Sequence, residues 1–386
     1  MCHPPLRPGT RETSKVTSTI LMISKPIAPP WNDSSKNLVR DLATAGHHFE
    51  YQVLTPRHYR LDASGVESDP VYSPAGSAFT PPLVQNLRVL RRLLRRDRSA
   101  VTHFFYAPNP KTSTAARLAL LLRPRRTVQT VCSAPRSFSR SAPLLFADRV
   151  VVLSRDTRRR FEAAGVAPER LVVIPPGIRL PDLPVEDARA AARSRFGLPR
   201  HRPVIIYPGD YQFSDAAWTF ARAVLQLRDL DATFVFACRI KQPASLEVER
   251  RVRALLADGG ALQRVLMLRE VDDMQALLTA CDLCALPAES LYAKMDLPLV
   301  VIEAMALGVP PLLADRAPLS ELAHPGAAVT VPPQDPDALA AAIRELVGTD
   351  RLRSLGEAAR RAAREHYGIE TVSRRHEDLY QQMIGR

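Results

Sequence analysis

Glu303 sits inside an apolar stretch, Leu-Val-Val-Ile-Glu-Ala-Met-Ala at residues 299–306, and a carboxylate in that setting suggests a binding task. Two short apolar runs flank the stretch, at residues 283–286 and 311–314, and both fit buried parallel strands. Pro298 suits the first turn of a helix, while Gly308 and Pro310 suit its end. A helix so placed turns the backbone N–H groups of its opening residues, Leu299 and Val300 among them, into the crevice at the carboxyl ends of the strands. A diphosphate can be held there by those donors and by the positive end of the helix dipole. Glu303, about one turn in, can accept hydrogen bonds from ribose hydroxyls. The chemistry expected is the binding of a nucleoside diphosphate.

The order of motifs around this helix resembles the retaining glycosyltransferases of group 4, which have two Rossmann-like domains (the GT-B fold) and a glycosyl transferases group 1 type domain. Those enzymes carry a run aDv-x-v-x-PS, then E-x-F-G-L-x-x-x-E-A-M-A-x-G-x-P-V, then a further E-L pair. This chain reads CDLCALPAES, MDLPLVVIEAMALGVPP and LSEL. Upstream, FADRVVVLSRDTRRRFEAAGV and LVVIPPGI match the end of the family's first domain and the entry to its linker. The resemblance implies an α/β chain of two Rossmann-like domains with parallel sheets and a C-terminal helix crossing back to the first domain. It further implies transfer of a sugar, with retention and without metal or other cofactor, from a nucleoside-diphosphate donor to a glycan, lipid-linked or small-molecule acceptor in the interdomain cleft. Retention in the family is described as front-face displacement, in which the departing phosphate helps deprotonate the acceptor. The alternatives are a non-catalytic relative serving as scaffold or partner subunit, and a sugar-nucleotide epimerase.

Breaking a bond between sugar and phosphate places negative charge on the leaving diphosphate, so cations there are the main requirement. The family supplies them from a G-R-x-x-x-x-K-G loop. Here the loop is YPGDYQFSDAAW: Gly209 stands, Asp210 takes the Arg position, and Ser214 or Asp215 falls where Lys belongs. Arg239 and Lys241, directly after the next strand, and Lys294, just before the phosphate-facing helix, are the expected replacements. Asp296 stands one residue from the family's sugar-facing Glu, and Leu297-Pro298 replaces its F-G pair. His103 falls near the family's histidine beside the reacting carbon. Asn109, Lys111 and Ser133, at strand ends, are expected on the acceptor side. Asp33 or Ser34 caps the helix after the loop at residues 25–37, and Asp272-Asp273 is read as a helix cap. No set of residues has metal-ligand spacing, and no metal is expected.

These residues need two sheets to position them. Apolar runs at residues 19–24, 51–54, 101–106, 127–131 and 149–153 alternate with helical stretches. A second series follows at residues 204–207, 233–237, 265–268, 283–286, 311–314 and 328–331. That alternation means parallel sheets with crossover helices. The expected division is a disordered tail at 1–18, an acceptor domain at 19–177, a proline-rich linker at 178–202, a donor-binding domain at 203–366 and a crossover helix at 367–386.

The net charge of +13 is concentrated in residues 1–180, which hold 28 Lys and Arg against 12 Asp and Glu. Residues 83–98 form a basic amphipathic helix with Leu83, Leu87, Leu90 and Leu94 on one face, expected to pack that face on the sheet and to offer its arginines to an anionic membrane. The basic stretch lacks interleaved aromatics, which argues against a nucleic-acid partner. Five scattered cysteines suggest a reducing compartment, and the Cys281/Cys284 pair is read as core. No apolar run approaches the roughly 20 residues of a membrane span. A cytoplasmic protein, peripheral at the inner membrane face, is the expectation.

Overall fold

The computed structural model describes residues 18–73, 83–182, 186–240, 242–292 and 294–385. The expected tail lies almost wholly outside the described residues, as does Lys241. Among the described residues the strands are β1 (Thr19–Ile23), β2 (Glu50–Pro56), β3 (Val66–Tyr72), β4 (Val101–Phe104), β5 (Thr127–Val131), β6 (Arg149–Val152) and β7 (Leu171–Val173) in the first domain. The second domain holds β8 (Val204–Tyr207), β9 (Thr233–Ala237), β10 (Val265–Leu268), β11 (Leu283–Leu286), β12 (Pro311–Ala314) and β13 (Val329–Val331). The two sheet orders are β3-β2-β1-β4-β5-β6-β7 and β10-β9-β8-β11-β12-β13, and every pairing is parallel. In each sheet the order reverses beside the first strand, between β1 and β4 and between β8 and β11. A crevice opens at such a switch point, outside the carboxyl ends of the strands.

Central strands such as β5, β8, β9 and β11 are buried at every residue. That is why they read as continuous apolar runs rather than alternating ones. Cys281 and Cys284 are both buried, Cys284 in β11. The sequence reading passed over β3 and β7. β3 is VESDPVY, a half-exposed edge strand whose charges hide its pairing with β2, and β7 has only three residues.

The helix Leu83–Leu93 is present, and Leu90 and Leu94 of its expected face pack on the first-domain core, but Leu87 does not. Its buried side chains are Gln85, Val89, Arg92 and Leu93, while Leu87 is 54% exposed. The cause is tertiary: Arg92 pairs with Asp69 and Asp97 and donates to Gln52 Oε1, and Gln85 Oε1 accepts the Ser73 N–H. Burying those polar partners overrides the leucine periodicity.

The C-terminal helix Ile369–Ile384 packs on the helix Ser34–Ala45 of the first domain. The chain crosses at Ile178, whose N–H donates to Tyr367 O and whose carbonyl accepts from Ile369 N–H, each at 2.8 Å. Glu377 Oε1 accepts the His47 and His48 N–H groups and the Tyr51 hydroxyl, all at 2.9 Å, and Oε2 lies 2.8 Å from His48 Nδ1. Burial pushes the Glu377 pKa up, but these donors outweigh it and hold the carboxyl below its ordinary range. The carboxylate therefore adds stability above the unfolded pKa of about 4.3 that is lost as pH falls through the lower folded value. Glu377→Ala strands these donors and should cost about 2 to 4 kcal/mol at pH 7. Urea unfolding at pH 7 and pH 3 checks this: the penalty should shrink at the lower pH.

Candidate active site

The carboxyl ends of β1, β5, β8, β9 and β11 face one another across a cleft of about 250 Å³ between the domains. From the first domain Lys25, Asp33, Cys132 and Ser133 line it; from the second come Gly209, Asp210, Arg239, Lys294, Leu299 and Val300.

After β8 the chain turns at Pro208-Gly209-Asp210. A Cβ at Gly209 would stand 2.0 Å from the Tyr207 ring, so only glycine lets the backbone pass. The Tyr207 hydroxyl donates to Asp210 O at 2.9 Å and stiffens the turn. Asp210 Oδ1 accepts the N–H groups of Gln212 and Phe213, each at 2.9 Å, and Oδ2 lies 2.9 Å from Lys294 Nζ. Burial raises the Asp210 pKa, yet Lys294 and the two N–H groups overcome it, and the carboxyl is held below its ordinary value. The residue standing where the resembled family has an arginine is therefore an anion, and it is paired with one of the expected replacement cations.

Arg239 leaves the end of β9 and reaches across the cleft, where Nη1 donates to Asn32 O at 2.5 Å. The helix Leu299–Ala306 opens on the cleft wall. Pro298 precedes it at φ −64°, and its carbonyl accepts the N–H groups of Val301 and Ile302. Leu299 and Val300 are thus the opening residues on the wall, with no acid in the first turn. Gly308, at φ +78°, stops the helix in a conformation that glycine adopts without strain. Glu303 is partly buried in that helix, with its carboxyl pushed up to about 7 by burial, aided by Asp41 and opposed by Arg40 of the first domain.

Five expected residues, Asp296, His103, Asn109, Lys111 and Glu303, are not among those that line the cleft. Asp296 is fully buried and turned to the first domain: its N–H donates to Cys132 O at 3.0 Å and its Oδ2 accepts from Ser154 Oγ at 2.5 Å. Ser154 also caps the helix Arg155–Ala163, so Asp296 fastens the two domains together from behind the cleft lining. His103 lies buried in β4, with Nδ1 2.6 Å from the Tyr380 hydroxyl, Nε2 2.6 Å from Thr130 Oγ1 and its ring stacked on Phe105. Both nitrogens are engaged, and burial with His376 nearby holds its pKa well below the ordinary value, so the ring is neutral core. Asn109 caps the helix Pro110–Leu122 through Thr112 N–H. Ser133 does reach the cleft. Asp33 is the cap of the helix Ser34–Ala45, and Asp273 caps Met274–Thr279.

Lys25, paired with Asp33 at 2.6 Å, was missed. Its signal was available, because it follows a buried strand directly, as Arg239 does. Glu321 was also missed as a fastener: its carboxylate accepts the N–H groups of Arg155 and Asp156 at 2.9 and 2.7 Å, capping a first-domain helix from the second domain.

Burial pushes the Asp296 carboxyl up to about 6 despite the Ser154 hydrogen bond. Between its unfolded pKa of about 3.9 and that value the folded state binds more protons, so the residue's contribution falls as pH rises from 4 to 7. Asp296→Asn keeps an oxygen for Ser154 and removes the buried charge. It should stabilise the protein by about 1 to 2 kcal/mol at pH 8 and by little at pH 4, as read by urea unfolding at both pH values.

Residues 202–349 match the family described as Glycosyl transferases group 1, and residues 34–180 match Glycosyltransferase Family 4. The chain is 32% identical over 218 residues to a D-inositol 3-phosphate glycosyltransferase of Nocardia farcinica, covering 54% of this chain and 47% of that protein. It is 28% identical over 241 residues to a GDP-mannose-dependent alpha-(1-6)-phosphatidylinositol monomannoside mannosyltransferase of Mycolicibacterium smegmatis, covering 60% and 62%. The chain spans about half the length of the first of these curated relatives. Among solved structures, sucrose-phosphate synthase of Thermosynechococcus elongatus superposes with TM-score 0.76 at 19% identity, over 95% of this chain and 99% of that one. The Anabaena protein HepE in complex with UDP-glucose gives TM-score 0.74 at 17% identity, over 94% and 99%. Two parallel-sheet domains facing across a cleft, each matching its own half of the same domain pair, show that the chain belongs to the group 1 and family 4 glycosyltransferases of GT-B fold.

Proposed function

We propose that the protein is a retaining glycosyltransferase that takes a sugar from a nucleoside-diphosphate donor, without metal, and passes it to a glycan, lipid-linked or small-molecule acceptor in the interdomain cleft. The observation that carries this reading is convergence. The Gly209 turn, Arg239, and Lys294 with the opening of the Leu299–Ala306 helix come from the ends of β8, β9 and β11 and line one cavity. Lys294 and Arg239 are the side-chain cations for the phosphates, and Ser133 faces them from the acceptor side. Relatives named for inositol-phosphate and phosphatidylinositol mannoside acceptors, and a structural neighbour holding UDP-glucose, support the same classes of ligand. Charge on the leaving diphosphate develops mainly in the transition state. Arg239→Ala should therefore lower kcat by about a hundredfold, in the range of losing one oxyanion donor, and raise the donor Kd much less. Steady-state kinetics with the donor chosen by a thermal-shift screen of UDP-, GDP-, ADP- and TDP-sugars checks it, and an unchanged kcat removes Arg239 from the reaction.

The acceptor side of this reading includes an anionic membrane surface. No helix among the described residues is long and apolar enough to cross a membrane. Of six exposed large apolar side chains among the described residues, five lie on two neighbouring helices: Val84 and Leu87, then Leu118, Leu121 and Leu122. Exposed Arg91, Arg95, Arg96, Arg123 and Arg126 lie on or just after the same two helices. Leucines that enter a bilayer, ringed by arginines each worth about 1 kcal/mol near anionic headgroups, suit such a surface. The protein should sediment with phosphatidylcholine vesicles only when phosphatidylserine is present, and should be released as salt rises. Leu121→Ser with Leu122→Ser should weaken this binding about tenfold or more. Equal binding to purely phosphatidylcholine vesicles would count against the surface.

A further inference from the structure

Lys294 is placed to meet an anion entering the cleft, and it already faces one. Asp210 is 3% exposed and is arranged as a bound phosphate would be: one oxygen takes two backbone N–H groups, and the other faces the lysine at 2.9 Å. Lys294 Nζ and Asp210 Oδ2 are both buried, and among the described residues neither has a further partner, so the lysine's charge is met in the cavity by this carboxylate. Lys25, on the opposite wall, is likewise matched by Asp33. A phosphate and a carboxylate cannot share one partly buried lysine without like-charge repulsion.

We infer that Asp210 is a built-in competitor for Lys294, and that a phosphate-bearing ligand binds by displacing this carboxylate from the lysine, so that Asp210 sets how tightly phosphates are held. The inference rests on the reading of the cleft as a nucleotide-sugar site. It differs from a role in which the carboxylate simply holds the lysine ready, because the two predict opposite effects of removing the charge.

Asp210→Asn separates them, since the amide oxygen still accepts from Gln212 and Phe213 while the negative charge is gone. Calorimetric titration of the full chain uses UDP, GDP, ADP, inorganic pyrophosphate and uridine as probes. Diphosphates and pyrophosphate should bind the variant about tenfold more tightly than the wild type, a change of about 1.4 kcal/mol, and uridine should bind both alike. If the Asn variant unfolds early in a thermal melt, Asp210→Ser, whose hydroxyl can take the same N–H groups, carries the measurement. Equal or weaker binding of diphosphate and pyrophosphate by the variant overturns the competition and leaves the nucleotide reading standing. Tighter pyrophosphate with no nucleotide bound supports the competition and overturns the nucleotide reading. Absence of binding by every probe to both proteins overturns both.

Discussion

The docking of the C-terminal helix on the first domain is the interaction on which the geometry of the cleft depends. Each parallel sheet carries its loops at its own carboxyl edge, and those edges make one site only if something holds them opposed. The Ile369–Ile384 helix does so with the Glu377 carboxylate serving the amides after the Ser34–Ala45 helix and with Tyr380 seated against His103 and Phe49. A residue expected to act on a sugar is thereby a structural member of this docking. Its neutral imidazole links β4 to β5 and to the crossing helix.

Held this way, the domains fasten a second time near the cleft itself. Asp296 reaches Ser154, Glu321 caps the Arg155–Ala163 helix, and Arg239 reaches Asn32. All three contacts set a charged side chain of the second domain against neutral donors or acceptors of the first. Two carboxyls at this interface, Asp296 and Glu303, are pushed upward by burial, whereas Glu377, with its full set of donors, is pulled down. The difference follows from hydrogen-bond supply: burial penalises all three, and only Glu377 has enough donors to reverse the penalty. The Asp296 contribution to the fastening therefore falls as pH rises through its raised value, while the Glu377 carboxylate keeps its donors.

The charge arrangement of the cleft departs from the family pattern in a physically coherent way. An acid replaces the arginine of the first loop, and Lys294, from the loop after β11, stands opposite it. The pair is the price of burying either group alone, since an unpaired buried ion costs several kcal/mol. Arg239 supplies a further cation from a strand end that in the family more often carries a glycine-rich turn.

The amino-acid sequence by itself determined the two parallel sheets, the helix that opens on the cleft, its proline start and glycine stop, and the family. These are local or periodic features: buried strands must be continuously apolar, and a helix must be opened and closed by residues with the right backbone. It also marked Gly209 and Arg239, because a residue just after a central strand has only the cleft edge to occupy, and Lys294, because it stands just before the helix that opens there. Tertiary structure alone decided which way side chains with competing partners turned. Asp296 went to Ser154, His103 to Tyr380 and Thr130, and Arg92 with Gln85 rotated a leucine-patterned helix so that Leu87 faces outward. Apart from Asp97, five residues from Arg92, each partner lies 12 or more residues away in sequence, and the free energy of satisfying a buried polar group is comparable with that of burying a leucine. Periodicity records what a segment prefers in isolation; the partners that override it exist only once the chain has folded.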